Sequence, residues 1–124
     1  MESSTVIDSQ ASLPFMMVKE LDRSLMRHEY GVMVCRLMEH IPSESVPGFG
    51  ASVVEVPPHD AVTLHSHHEH EMWVLISGAG TFEVDGRRTA VSGTTLFYMK
   101  PHQLHSLSND DAHAPLKFLS MWWD

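Results

Sequence analysis

The chain is patterned as a series of short apolar runs that prolines, glycines and polar residues separate. Several runs alternate between apolar and polar residues, which is the two-residue period of a strand with one buried face. Eight or nine short strands at such close and regular spacing favour an all-β, antiparallel sandwich or barrel. The predicted strands are residues 32–38, 51–56, 61–67, 72–77, 81–84, 88–91, 95–99, 105–107 and 116–123.

Turn signals divide these runs. Asp85-Gly86 is a strong signal for a short hairpin between two of the strands. Residues 41–50 contain two prolines and two glycines, which break the chain. Residues 13–31 are ambiguous, with a middle that could form a helical turn and ends that look extended. Residues 1–12 are polar, and we expect a flexible arm there.

Length and charge restrict the class of protein. A chain of 124 residues predicts one domain, over residues 13–124. The formal net charge of −8, without a cluster of Lys and Arg, argues against a nucleic-acid partner. The single cysteine, Cys35, excludes an internal disulfide and is compatible with a reducing interior. Because no apolar run suits a membrane span and the first residues do not form a secretory signal, we expect a cytoplasmic protein without a membrane partner.

The stretch LHSHHEHEMWVLISG carries the most chemistry in the chain. His65 and His67 are two residues apart, so on a strand they project from the same face. Residues 68–70 form a short connection, and Glu71 begins the next strand, where antiparallel pairing can return it to the side of His67. Imidazole nitrogens and a carboxylate that converge in this way suit Zn, Fe, Mn, Ni or Cu.

A fourth ligand has to come from elsewhere in the chain, and His105 is the best candidate. It follows Pro101 by four residues and opens a late strand. In a small barrel this strand could lie beside the first two, which would bring the His105 ring to the other ligands.

The spacing of these residues resembles the first motif of the cupin family, G-x5-H-x-H-x3-E-x6-G. His65, His67, Glu71 and Gly78 match every position after the first. His59 stands where the motif has its leading glycine.

The second cupin motif is similar to a later segment, which begins at Gly93 and runs through Pro101 to His105-x3-Asn109. One residue more than usual lies between that glycine and the histidine, and His102 replaces the glycine that usually follows the proline. These departures concern the turns and leave the ligands intact. The resemblance covers residues 51–123 and implies an antiparallel jelly-roll β-barrel. The ambiguous residues before it predict a short irregular or helical N-terminal segment.

By resemblance, one divalent metal ion would bind in the mouth of the barrel. Zn or Fe is favoured over Mn or Ni, and Glu71 could be a ligand or, off the metal, a base. The expected ligands are His65, His67, Glu71 and His105.

Five further residues are candidates for a substrate pocket. Trp73 should share the inward face of Glu71, as core or as pocket wall. Arg36 could be an exposed edge residue, or it could point inward and hold a carboxylate or phosphate. The hydroxyl of Tyr98 could act as a proton donor or base. The other two candidates are His102 and Trp122.

Other conspicuous residues have ordinary interpretations. His68 and His70 are expected to be solvated polar groups, and Cys35 a small buried hydrophobe. Because Trp122 and Trp123 are consecutive on a strand, their rings lie on opposite faces, one in core or pocket and the other over a dimer contact.

The resemblance implies a small metal-dependent enzyme that acts on a small polar organic molecule, in specialised metabolism. Its chemistry would be metal-assisted isomerisation, lyase chemistry or rearrangement. Three alternatives remain open: an Fe(II)-dependent dioxygenase, a zinc cupin that forms a nitrogen–nitrogen bond by rearrangement, and a non-catalytic module that binds or senses a small ligand. A homodimer is expected because cupins commonly dimerise.

Overall fold

The computed structural model describes residues 17–124, which form short 3-10 turns and nine strands. The arm predicted for residues 1–12 lies outside this described part, as do residues 13–16. The strands are β1 (Arg27–Glu29), β2 (Val32–Arg36), β3 (Gly50–Val56), β4 (His70–Ser77), β5 (Ala79–Val84), β6 (Arg87–Ser92), β7 (Thr95–Met99), β8 (His105–Asn109) and β9 (Leu116–Trp123). The 3-10 turns are Arg23–Leu25, Leu37–His40 and Ser43–Ser45.

The strands form two antiparallel sheets. The larger sheet has the order β1-β2-β3-β9-β4-β7, and the smaller has the order β6-β5-β8. The sequence-based prediction of an all-β antiparallel fold is therefore confirmed. Among the residues described, no helix has the length and apolar character needed to cross a membrane.

The core lies between the inner faces of the two sheets. Trp73 from β4 packs on Phe118 from β9, with ring centroids 4.4 Å apart. Phe82 from the smaller sheet stacks on Phe97 from the larger sheet, also at 4.4 Å. Such aromatic contacts across the core hold the sheets together through buried apolar area.

The predicted hairpin at Asp85-Gly86 joins β5 to β6. Both residues have positive φ angles, 48° and 83°, as a two-residue turn of type I′ requires. The β5–β6 register is continuous from Val84↔Arg87 outward, so the turn residues set the pairing as the sequence suggested.

The strands predicted over residues 61–67 and 32–38 need correction, while β4, β5 and β8 each extend two residues beyond their predicted bounds. Residues 61–67 make only isolated bridges, Ala61↔Ser108 and His65↔His105, because Thr63 turns its N–H to the Tyr30 carbonyl at 2.7 Å instead of to β8. The strand predicted over residues 32–38 ends at Arg36, since the following residues enter the 3-10 turn Leu37–His40.

Candidate metal site

Four side chains meet at one end of the core, between the two sheets. Their ligand atoms all lie within 4.8 Å of one another, and they belong to His65, His67, Glu71 and His105. Glu71 comes from β4 and His105 from β8, while the other two come from the irregular segment that precedes β4. The bridge His65↔His105 joins that segment to β8.

Each histidine of this cluster makes the same type of hydrogen bond on its outer side. A carbonyl oxygen can only accept, so each Nδ1 must donate and carry the hydrogen. In a neutral ring this leaves the lone pair on Nε2, which is the arrangement seen around metal-binding histidines. The Nδ1 distances are 2.7 Å from His65 to the Thr63 carbonyl, 3.2 Å from His67 to that of Glu69, and 2.8 Å from His105 to that of Gln103.

The carboxylate of Glu71 has two oxygens with different surroundings. Oε2 accepts hydrogen bonds from Trp73 Nε1 at 2.8 Å and from Ser120 Oγ at 2.5 Å. Oε1 faces the Nε2 atoms of His67 and His105, at 2.7 and 3.1 Å. A cation has to lie between Oε1 and these two Nε2 atoms: it is a proton where each pair forms a hydrogen bond, and a divalent metal ion, which the donor set suits, would take its place.

Electrostatics keep these ligands in the form that binds metal. Burial acts to raise the pKa of Glu71, but contacts with His105, Ser120, Trp73 and His67 outweigh it and lower the pKa to about 2. Burial also lowers the pKa of His65, against the opposing effect of its bond to the Thr63 carbonyl. An ionised carboxylate and a neutral imidazole are both required of metal ligands.

Tyr30 contacts the cluster, and the sequence offered little to indicate it. Its ring stacks on that of His65, with centroids 4.5 Å apart and an interplanar angle of 27°. Tyr30 occupies the β1–β2 turn at a φ of 53°, beside Gly31. An isolated tyrosine before a glycine indicates a turn at most, so this contact depends on the fold.

A cavity of about 180 Å³ opens onto the cluster. Its volume corresponds to roughly six water molecules at liquid density, which suits a small ligand. Three of the predicted pocket residues line it, namely Arg36, Trp73 and Trp122. Residues that the sequence did not single out complete the wall: Tyr30, Val32, Val34, Ser52, Val54, Val62, Glu69, Phe118 and Ser120.

Trp73 is both core and wall, because only 2% of its surface is exposed while it also lines the cavity. The Arg36 guanidinium carbon lies 5.7 Å from the centre of the Trp122 ring, and its Nη2 donates to Glu29 at 2.7 Å. Trp122 in turn lies against Gly50, where a Cβ atom would come within 2.1 Å of the indole. Glycine at this position therefore gives the Trp122 ring its place at the cavity.

Tyr98 and His102 do not line this cavity. Tyr98 is on the outer face of β7, where its hydroxyl lies 2.6 Å from Nδ1 of His70. His102 is exposed in the turn before β8, and its backbone N–H donates to the His67 carbonyl at 2.7 Å. His102 thus helps to hold the segment that carries a predicted ligand, through its main chain and not through its ring.

The two histidines at expected glycine positions both adopt glycine-like backbone angles. His59 has a φ of 64° and His102 a φ of 69°, in the left-handed region. The turns therefore keep the shape that the motif requires, even though a side chain is present. The departures from the motif do not disturb the positions of the four clustered side chains.

The remaining conspicuous residues lie away from the cluster. Trp123 is on the opposite face of β9 from Trp122 and stacks on His70, with an interplanar angle of 8°. Cys35 is fully buried, and burial raises the pKa of its thiol, as expected of a small core residue. His68 is exposed, with Nε2 3.1 Å from Asp124.

Comparisons with known proteins agree with this fold. The Cupin_2 model, described as a cupin domain, matches residues 52–122. A Cupin 2 conserved barrel domain protein of Salinispora arenicola is 28% identical, with a TM-score of 0.77 over 88% of this chain and 89% of that chain. A protein of Photorhabdus luminescens is 25% identical, with a TM-score of 0.78 over 89% of each chain. A predicted oxalate decarboxylase of Thermotoga maritima is 22% identical, with a TM-score of 0.64 over 74% of this chain and 79% of that chain, and supports the fold alone.

Proposed function

Since the chain belongs to the Cupin_2 family of cupin domains, we propose that it is a small metal-dependent enzyme acting on a small polar organic molecule. The proposed chemistry is isomerisation, lyase chemistry or rearrangement with Lewis-acid assistance. The observation that carries the proposal is that the cluster of three histidines and one glutamate opens directly into a cavity of ligand size.

The cluster supplies the donors that a divalent ion requires. The Nε2 atoms of the three histidines and Oε1 of Glu71 would hold the ion, since their Nδ1 and Oε2 partners are already engaged. When bound, a divalent ion at this site polarises a carbonyl or carboxylate oxygen and stabilises negative charge that develops on it.

The chain itself orients Glu71 as a ligand. Two donors, Trp73 and Ser120, hold Oε2, so only Oε1 is directed towards the histidines. A carboxylate held in this way is poorly placed to swing away and act as a base. We therefore propose the ligand role for Glu71, and no catalytic role for Tyr98, whose ring is on the outer face of the sheet.

The apolar wall of the cavity keeps water from most of a bound molecule. Val34, Val54 and Phe118 form one row across the inner face of β2, β3 and β9. Exclusion of water strengthens each electrostatic contact at the cluster. A small organic molecule would thus bind with its polar end at the metal and its carbon skeleton on these side chains.

The first experiment measures metal by elemental analysis of the purified chain. We expect about one divalent ion per chain, with large loss in His65→Ala and in His105→Ala. His28→Ala and His113→Ala are matched controls, because both histidines are exposed and lie outside the cluster. Metal that stays stoichiometric in both cluster variants would refute the site.

The second experiment separates Lewis-acid chemistry from oxygenation. Three imidazoles and a carboxylate also suit Fe(II), which makes a dioxygenase the second candidate. The chain is loaded anaerobically with Fe(II) or with Zn and given a panel of small organic acids and carbonyl compounds, and turnover and oxygen uptake are followed. Turnover with Zn and without oxygen supports the proposal, whereas turnover that requires Fe(II) and consumes oxygen favours the dioxygenase.

We also propose that the chain forms a homodimer in the cytoplasm. Ile76, Leu96 and Tyr98 are exposed on the outer face of the neighbouring strands β4 and β7, and exposed apolar surface of this kind is typical of interaction sites. Light scattering of the eluted protein should give twice the chain mass, and Leu96→Glu should give the single-chain mass. A wild-type protein that elutes with the single-chain mass would contradict this expectation.

A further inference from the structure

A polar row crosses the inner face of the larger sheet beside the cluster. Arg36 on β2 pairs with Ser52 on β3, and Ser52 pairs with Ser120 on β9. All three side chains line the cavity. Directly opposed side chains in a sheet lie about 5 Å apart, so this row joins Arg36 to the hydroxyl that holds Glu71.

Ser52 has a buried hydroxyl that no group among residues 17–124 satisfies. Only 3% of its surface is exposed, and within residues 17–124 its Oγ has no hydrogen-bond partner. Buried hydroxyls are normally paired, because an unpaired one loses its bond to water without compensation. Since Ser52 lines the cavity, its hydroxyl can bond to water there or to a bound molecule that displaces this water.

Arg36 has one side of its guanidinium left for a ligand. Glu29 accepts from Nε at 3.1 and 3.2 Å and from Nη2 at 2.7 Å, and no contact engages Nη1 within the described part of the chain. The guanidinium carbon lies 5.7 Å from the Trp122 ring centre. These contacts fix the group in place, so that a ligand would pay little in side-chain ordering to use its remaining N–H groups.

We propose that Arg36 and Ser52 form an anion subsite, which binds the carboxylate of a small organic monoanion while a second polar group of that molecule reaches the metal cluster. This inference deepens the proposed function and rests on it for the second contact. Because the row from Arg36 through Ser52 to Ser120 is short, the anion subsite lies close to the metal cluster. A molecule that contacts both has its two polar groups separated by only a few bonds.

The charges around the cavity favour a monoanion over a phosphate dianion. The charged groups that line it, apart from the histidines, are Arg36, Glu69 and Glu71. With a divalent ion bound, these lining groups leave one net positive charge, and Glu29 beside Arg36 adds one negative charge outside the lining, so that a monoanion meets less repulsion than a dianion. A dianion would also approach Glu29, whose carboxylate is bonded to the same guanidinium.

The test is a calorimetric titration of the zinc-loaded chain with lactate, 3-hydroxybutyrate and 4-hydroxybutyrate, each paired with its neutral amide. We expect at least one acid to bind about tenfold or more tightly than its amide. Arg36→Gln should weaken binding of that acid on the order of ten- to a hundredfold, as the loss of a charge-assisted hydrogen bond does. Ser52→Ala should weaken it by up to about tenfold, and neither change should much affect the amide.

Arg88→Gln and Ser92→Ala are matched controls, because both residues are exposed on β6, in the smaller sheet. They should leave the preference for the acid unchanged. Circular dichroism confirms that each variant is folded. The proposal is overturned if no acid binds better than its amide, or if the preference survives both Arg36→Gln and Ser52→Ala.

Metal analysis of the same samples separates the two proposals. If Arg36→Gln keeps its zinc and no longer binds the acid better than the amide, both the metal site and the anion subsite are supported. If all variants keep zinc and no preference exists, only the anion subsite fails. The same titration on the metal-free chain, followed by tryptophan fluorescence in a Trp123→Phe background so that only Trp73 and Trp122 in the cavity wall contribute, measures the subsite even if the metal proposal fails.

Discussion

Ser120→Ala is the change that tests most closely how the metal ligand is held. The Ser120 hydroxyl is buried, with 3% of the residue exposed, and it donates to Oε2 of Glu71 at 2.5 Å. Among the groups of residues 17–124, removing it leaves Trp73 Nε1 as the single donor to Oε2. The carboxylate then has more freedom to rotate, so that Oε1 is less well directed at the histidines.

The expected loss follows from the partners that remain. Groups that orient a metal ligand typically contribute about 10- to 100-fold to metal affinity, which is about 1.4–2.8 kcal/mol. Because Trp73 still holds Oε2 in the variant, we expect the lower end of this range, about a tenfold loss of zinc affinity. In the metal-free chain, one lost buried hydrogen bond should lower the free energy of unfolding by about 1–3 kcal/mol.

The assay is competition for zinc with a chelating indicator, together with urea unfolding of the metal-free chain. Ser106→Ala is the matched control. Ser106 is also buried, its hydroxyl donates to the Val62 carbonyl at 2.5 Å, and it points away from the face of β8 that carries His105. This control should show a similar loss of stability and a smaller loss of zinc affinity than Ser120→Ala, because Ser106 bonds to the main chain of the segment before β4 and to no ligand side chain.

Two results would contradict this role of Ser120. One is an equal loss of zinc affinity in Ser120→Ala and Ser106→Ala, which would make the effect one of general stability. The other comes from a double-mutant cycle with Glu71→Gln. If Ser120 acts through the carboxylate, its effect on zinc affinity should shrink in the Glu71→Gln background, and an undiminished effect would show that it acts by another route.

Three further predictions concern the turn, the cavity wall and the metal. His102→Gly should raise the free energy of unfolding by about 0.5–1 kcal/mol in urea titrations, because a φ of 69° is strained for histidine. The control His28→Gly, in strand β1, should lower the free energy of unfolding. Gly50→Ala should lower the free energy of unfolding by about 1–3 kcal/mol and change the tryptophan fluorescence, because the new methyl group would displace Trp122. An unchanged emission spectrum would contradict the contact between Gly50 and Trp122. Zinc at about 100 times its dissociation constant should stabilise the chain by about 2.7 kcal/mol and raise the melting temperature by roughly 10 °C, and this rise should vanish in His105→Ala.

Most of the strand pattern could be predicted because alternation and turn residues are local signals. The Asp85-Gly86 hairpin is an example, since both residues adopt the positive φ angles that such a turn needs. The segment 61–67 could not be predicted, because its regular alternation is overridden by one long-range hydrogen bond, from Thr63 to the Tyr30 carbonyl. A contact between residues so far apart in the chain leaves no trace in local periodicity.

The metal cluster could be proposed from spacing, and the four expected residues do lie together. The residues of the pocket were harder to predict, because a side chain lines the pocket only if its strand places that side chain on the inner face of the sheet. Trp73 could be placed there because it follows Glu71 by two residues, while Tyr98 lies on the outer face of β7, where it pairs with Met72 on β4. Ser52, Ser120 and Tyr30 are ordinary residue types, so only the fold indicates their part in the cavity.

X-ray absorption spectroscopy of the zinc-loaded chain at the metal edge counts the ligands of the proposed site directly. We predict three imidazole nitrogens at about 2.0–2.1 Å and one carboxylate oxygen at about 2.0–2.2 Å, from His65, His67, His105 and Glu71. His105→Ala should remove one imidazole from the spectrum of any zinc that remains bound. Fewer than three imidazoles in the wild-type spectrum, or a sulfur ligand at about 2.3 Å, would contradict the assignment of this site.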